Sequence, residues 1–254
     1  MIFLLDCLYS TKIEYKVIGK LSNLLIASDD YKGFIIKTDK INTYSVAESA
    51  VNAECGIRFS SLCSRLAALG LGGLEGLFSI PGSLGGMLYS NAGAYGREMS
   101  DVFIEGEFYD TQSGKVIELR HSDMKFSYRS SVMREKPLIA LSAFLRLEKS
   151  SPEAINKKID YYKGLRLASQ PCGEYSLGSV FKRPQGYYAA ALIDKAGLKG
   201  YRIGGAQVSA KHAGFIVNSR GASAKDFIEL KDYVKNKVFE RFGVLLEEEI
   251  EILT

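Results

Sequence analysis

The chain has 254 residues, 46% apolar and 24% charged, and its 33 basic and 29 acidic side chains give a formal net charge of +4. That is long enough for one large domain or a few small ones with a proper core, and the interspersed charges exclude nucleic-acid binding through basic runs while leaving anionic small molecules open. Cys7, Cys55, Cys63 and Cys172 form no C-x-x-C pair and have only His121 and His212 to join them, so no metal is expected and a reducing cytoplasm is. The opening MIFLLDCLYS carries Leu4, Leu5 and Leu8 at helical spacing. It is far shorter than the ~20 apolar residues of a spanning helix and lacks the marks of a cleaved leader, so no membrane insertion is expected. Tyr15–Ile18 alternates as a short strand, and residues 19–28, GKLSNLLIAS, combine a glycine turn with Ser22 and Asn23. Such a loop can hold phosphate or simply bond its own backbone. Residues 33–38 read as a buried strand, residues 44–56 as one or two more, and residues 58–69 as a helix with Phe59, Leu62, Cys63, Leu66 and Leu69 on one face.

Residues 79–96 read SIPGSLGGMLYSNAGAYG, with glycines at 82, 85, 86, 93 and 96. Glycine reaches positive φ without steric cost, so successive N–H groups can converge on a phosphate or pyrophosphate; the same composition also makes tight turns. Ile80, Leu84, Met87 and Leu88 can bury one side while Ser83, Ser90 and Asn91 present the other, as a loop around a large cofactor requires. Residues 102–109 and 116–119 flank DTQSGK as a hairpin, and residues 138–147 alternate as a half-buried strand. Composition shifts at Lys149, where a domain boundary is expected, and Ser151 with Pro152 opens a helix to about residue 168. The rest holds GSVFKRP, a helix near 187–196, a long helix opened by Ser223 and Asp226 and stopped by Gly243, and a strand over 244–253. Grouped strands followed by α/β alternation indicate an α+β protein with its ligand between two parts.

Arg129 in SYRSS, Ser179 in LGSVFKRP and a glutamate near the C-terminus are polar groups in apolar or glycine-rich settings. Each alone equally suits a surface ion pair, a cap or a solvated edge. Lys182 and Arg183 add positive charge suited to phosphate or carboxylate. No G-x-S-x-G elbow and no G-x-G-x-x-G follows a strand, which argues against a serine hydrolase and a Rossmann enzyme.

In order, GKLSNLL, IPGSLGGMLYSNAGAYG, SYRSS, GSVFKRP, LIDKAGLKGYRIGGAQVSAKHAGFIVN and LLEEEIEI resemble the UDP-N-acetylenolpyruvoylglucosamine reductase family, in its subtype without a tyrosine-bearing loop. The resemblance implies an FAD-binding domain of the vanillyl-alcohol-oxidase/PCMH type over residues 1–148 and a C-terminal α/β substrate-binding domain over residues 149–254. It implies reduction of UDP-N-acetyl-3-O-(1-carboxyvinyl)-glucosamine to UDP-N-acetylmuramate by NADPH through FAD, for peptidoglycan precursors, in a cytoplasmic monomer. By the same resemblance Ser22, Asn23, Leu24, Ile80, Pro81, Gly82, Ser83, Gly85, Gly86, Asn91, Gly93, Ala94, Tyr95 and Gly96 surround the cofactor. Arg129 matches the catalytic arginine, Ser179 the proton donor and Glu249 the catalytic glutamate, with Glu247 the competing register; Tyr128, Lys182 and His212 line the substrate pocket. Two departures stand out: the chain begins well inside the family's flavin domain, and Leu21 stands in GKLSN where glycine is commoner, restricting backbone approach. The alternative reading is a nucleotide-sugar-binding paralogue, or an incomplete form, that does not retain FAD. Joint retention of Arg129, Ser179 and Glu249 favours the enzyme, and no motif specifically supports an FAD oxidase of the wider fold.

Overall fold

The computed structural model describes residues 1–27 and 31–254; Ser28, the last residue of the expected first phosphate loop, lies outside the described residues. The chain divides into two compact units, residues 1–20 with 32–164 and residues 21–31 with 165–254. This differs from a division at 148/149 in two places. The helix Pro152–Ser169 begins in the first unit, and the segment after Lys20 belongs to the second. Among the described residues no helix is long and apolar enough to cross a membrane.

The first unit is built on a five-stranded antiparallel sheet in the order Lys115–Arg120, Phe103–Asp110, Leu138–Arg146, Ala50–Glu54, Tyr44–Ala47. Alternation along the strands sends Phe108 to one face and Tyr109 to the other. Tyr109 joins Leu5 and Leu141 under α1 (Ile2–Thr11), and its hydroxyl donates to Asp6 at 2.9 Å. Phe108 belongs to the main core with α2 (Phe59–Ala68) and α3 (Leu84–Tyr89). Phe59, Leu62, Cys63 and Leu66 of α2 are buried as their spacing requires, whereas Leu69, expected on that face, caps the helix and is 58% exposed. In Leu138–Arg146 a register shift between Ala140 and Ser142 breaks the expected alternation, so Leu138 and Ala140 are buried as well as Leu141, Ala143 and Leu145. The helix α4 (Pro152–Ser169) opens with Ser151 Oγ accepting from the Ala154 amide at 3.2 Å and buries Ile155 and Ile159 beside Ala67.

The strand expected to be buried at 33–38 is Phe34–Lys37, and it is mostly exposed. It forms a two-stranded parallel pair with Tyr15–Ile18, in which Ile36 packs towards the α1 cluster while Phe34 stays 59% exposed. An unbroken apolar run shows that a strand forms but not which residues another layer covers.

The second unit holds a four-stranded antiparallel sheet in the order Tyr175–Ser179, Phe215–Asn218, Ala206–Val208, Arg202–Ile203. Its core joins Leu192 and Ile193 of α5 (Ala189–Lys195) to Phe227, Leu230, Val234 and Val238 of α6 (Ala224–Phe242). The α6 N-terminus has the reciprocal Ser223/Asp226 box that its sequence requires, and Gly243 closes the helix at φ 66°. The strand expected over 244–253 is reduced to Glu251–Leu253, which runs parallel to Leu24–Ile26; the preceding residues contribute one antiparallel bridge, Phe181 to Glu248.

Candidate functional site

In the first unit the two glycine loops meet. A Cβ on Gly19 would land on Ser83 Oγ, so glycine alone permits this approach. Ser83 caps α3, its hydroxyl accepting from the Gly86 amide at 3.3 Å. The Leu84 and Gly85 amides donate to the carbonyls of Ile57 and Cys55 at 3.0 and 2.8 Å. Hence the nest of successive donors expected over these glycines does not form there: two of the donors serve the core-facing backbone, and Gly85 is small because a Cβ would press on Cys55. Ser83 pairs with Arg58 in a narrow antiparallel bridge, with Phe59 N bonded to Gly82 O and Leu84 N to Ile57 O. In that geometry the amide of Ser83 itself points away from the Arg58 strand.

Three observations show that the loop fits a bulky polar group such as FAD. Ser79 Oγ is buried and has no hydrogen-bond partner among the described residues. Gly82 adopts φ 153°, and Gly96 has φ 78° with no atom of the other described residues, its chain neighbours aside, within 4 Å of where a Cβ would stand. Ile80 packs against the core and Pro81 is exposed. Gly93–Ala94 pairs with Arg97–Glu98 around Tyr95, which takes φ 53° and stacks on Tyr162 at 4.9 Å.

Asn91 is engaged by protein groups through its side chain. It is 1% exposed, and its amide donates to Glu98 Oε2 at 2.9 Å and to Ser127 O at 3.2 Å while accepting from the Ser100 amide at 3.0 Å. That side chain ties the glycine loop to the turn carrying Arg129. Ser127 and Ser130 exchange backbone bonds of 3.1 Å, leaving Tyr128 and Arg129 at the tip, with Arg129 at φ 55°. A left-handed conformation costs a non-glycine residue about 1 kcal/mol, so the surrounding contacts hold it. Among them, Arg129 Nη2 donates to Gly93 O at 2.9 Å, and the guanidinium lies 5.1 Å from the Tyr128 ring.

In the second unit Ser179 ends its strand after a register shift at Gly178, φ 82°, and its hydroxyl donates to Phe181 O at 3.4 Å. Beyond it the chain pairs with the closing glutamates: Lys182 N donates to Glu247 O and Glu249 N to Val180 O, both at 2.8 Å. Glu249 is therefore placed across from the neighbour of Ser179. The three glutamates have distinct surroundings. Glu247 is exposed, 3.4 Å from Lys182 Nζ. Glu248 meets Lys231 at 3.1 Å and Lys235 at 3.0 and 3.3 Å; burial pushes its carboxyl up, but the lysine hydrogen bonds outweigh that and leave it at about 2. Glu249 is half-buried.

Ser22, Asn23 and Leu24, expected around the cofactor, belong to this second unit. Asn23 Nδ2 donates to Glu249 O at 3.1 Å, its carbonyl accepts from Glu251 N at 2.9 Å, and Leu24 pairs with Glu251. Leu21 takes φ 56°, the conformation for which glycine is suited. His212 Nδ1 accepts from the Gly214 amide at 3.2 Å, which places the proton of the neutral ring on Nε2. Burial, with the charge of Lys199, holds that imidazole below its ordinary pKa.

The sequence placed Gly19 and Ser79 in the two candidate loops without singling out either residue, and the Lys231–Glu248–Lys235 cluster was missed. Its signal is that Lys231 falls four residues after Phe227 and three before Val234, inside the apolar stripe of α6.

Residues 2–120 match the FAD binding domain model, and residues 170–253 match the C-terminal domain model of UDP-N-acetylenolpyruvoylglucosamine reductase. The reductase of that name from Caldicellulosiruptor saccharolyticus is 43% identical over 95% of this chain and 78% of its own length. Its counterpart from Thermotoga maritima is 40% identical over 94% and 84%. The crystal structure of the reductase from Thermus caldophilus superposes with a TM-score of 0.86 at 31% identity, covering 100% of this chain and 90% of that one. The fold is α+β, an FAD-binding domain of the PCMH type followed by a C-terminal domain. With this identity spread over almost the whole chain, the protein belongs to the UDP-N-acetylenolpyruvoylglucosamine reductase family.

Proposed function

We propose that the chain reduces UDP-N-acetyl-3-O-(1-carboxyvinyl)-glucosamine to UDP-N-acetylmuramate with NADPH, as an FAD-dependent cytoplasmic monomer supplying peptidoglycan precursors. The observation that carries the reading is the pairing of residues 180–182 with 247–249, which sets Ser179 and Glu249 on neighbouring stretches of backbone. When bound, FAD would supply the redox chemistry, the passage of hydride from NADPH to the vinyl carbon of the substrate. The Ser83 amide and the Gly19 turn would hold its pyrophosphate, with the Ser79 hydroxyl as a further donor.

Hydride addition leaves negative charge on the neighbouring carbon and its carboxylate. Arg129, fixed through Gly93, meets that charge with paired guanidinium donors. Ser179 Oγ gives a proton to the carbon, recovering its own from solvent, with Glu249 as the catalytic carboxyl on the neighbouring stretch of backbone. A serine hydroxyl is a weak acid, so this transfer is driven by the basicity of the carbanion. Lys182 and the neutral His212 serve the diphosphate and the sugar, and Tyr128 covers the arginine. Rapid mixing tests the assignment: Ser179→Ala should leave reduction of the flavin by NADPH intact and slow its reoxidation by the enolpyruvyl sugar. Equal losses in both half-reactions would remove Ser179 from the role of proton donor.

A further inference from the structure

Glu248 occupies an inward position that an aliphatic residue would fill more cheaply. Leu246 and Ile250, two residues to either side, are buried at 0% and 6% exposure, so alternation directs residue 248 towards the same core. Its carboxylate lies under α6, where Lys231 Nζ reaches it at 3.1 Å and Lys235 Nζ contacts both oxygens, at 3.0 and 3.3 Å. The Lys231 side chain is only 8% exposed and also bonds Asp232 at 2.6 Å. Holding the Lys231 ammonium at 8% exposure forfeits its hydration for a carboxylate that is itself 30% exposed, and apolar replacements of similar volume are often no less stable, so stability alone is a poor reason for this cluster.

Register is a better one. Residues 247–249 are three successive glutamates in a segment with a single bridge, and a slip of one residue would exchange the faces they present. Only the glutamate beneath α6 accepts both lysines. With that position taken, the Glu249 amide meets Val180 O at 2.8 Å and its carbonyl meets Asn23 Nδ2 at 3.1 Å. We propose that Glu248, gripped by Lys231 and Lys235, is a positioning residue that selects the register of residues 246–250 and so sets Glu249 beside Ser179. This rests on the reading of Glu249 as a catalytic residue.

The test uses the FAD-loaded enzyme under anaerobic rapid mixing, following flavin absorbance first with NADPH and then with the enolpyruvyl UDP-sugar. Glu248→Gln keeps the side-chain volume and is expected to slow reoxidation about tenfold while leaving reduction by NADPH within about twofold, as misplacement of one reacting group requires. In a Glu249→Gln background the same change is expected to cost less than about twofold, because a residue acting through another loses its effect when the other is gone. Lys231→Met should reproduce the Glu248→Gln phenotype and Lys231→Arg should restore wild-type reoxidation. Should Lys231→Met fail to fold, the Glu248→Gln and Glu249→Gln cycle decides alone. Equal slowing of both half-reactions, or equal slowing with and without Glu249, would overturn the positioning role. A Glu249→Gln enzyme that reoxidises normally would instead overturn the reading of Glu249, and the proposal with it.

Discussion

Replacing Gly19 by alanine places a methyl group on the Ser83 hydroxyl, at the point where the two glycine loops of the first unit meet. Overpacking a close contact of this kind costs about 2 kcal/mol. Ser83→Ala alone removes the cap on the Gly86 amide, a loss of about 1 kcal/mol. Independent effects would sum to about 3 kcal/mol, but the added methyl in the double variant meets only the β-carbon of residue 83, at 3.4 Å, an ordinary contact. The double variant should therefore lose about 1 kcal/mol, a favourable coupling of about 2 kcal/mol. In thermal melts without added FAD, Gly19→Ala should lower Tm by about 4–8 °C and the double variant by about half that. Fluorescence titration should show weaker FAD binding by Gly19→Ala and partial recovery in the double. Additive losses, or a Gly19→Ala chain as stable as the parent, would refute the convergence of the loops.

Leu21→Gly should stabilise the chain: relief of the φ 56° backbone gains about 1–2 kcal/mol. The extra freedom of unfolded glycine returns about 0.5–1 kcal/mol of this, so Tm and FAD affinity should rise together, and a fall in either would show that the leucine side chain is the larger contributor. Glu248 falls from the ordinary 4.5 to about 2 in the folded chain, so its ionisation is linked to stability. A carboxylate depressed by folding stabilises fully above its unfolded pKa and loses that contribution as pH falls through the folded value. Urea midpoints should therefore drop between pH 4.5 and about 2, and the difference between wild type and Glu248→Gln should shrink over that window. A constant difference would show that the lysines do not hold the carboxylate.

What the sequence made legible was what local chemistry decides. The Ser223/Asp226 box, the stripe of α2 and the Asp110–Gly114 hairpin turn each depend on residues a few positions apart. The Leu84 and Gly85 amides were misread because their partners, the carbonyls of Ile57 and Cys55, come from a distant segment that no glycine count reveals. Asn23 and Asn91, cofactor contacts by the resemblance, spend their side-chain amides on protein groups at Glu249 and the Arg129 turn, distant partners that no local pattern reveals. The closing strand was read over ten residues because its apolar positions alternate; an inward glutamate and a single bridge leave only Glu251–Leu253 in strand geometry. Choosing among the three glutamates needed the fold, since only their neighbours, Lys182 for Glu247 and the α6 lysines for Glu248, distinguish them.

The most direct test of the account is the visible absorption spectrum of the FAD-supplemented chain under anaerobic conditions, before and after NADPH and again after the enolpyruvyl UDP-sugar. The account predicts a bound-flavin band that bleaches with NADPH and returns in full, one equivalent of flavin for each equivalent of sugar. A protein that takes up no FAD, or whose bleached flavin stays reduced when the sugar is added, would contradict it.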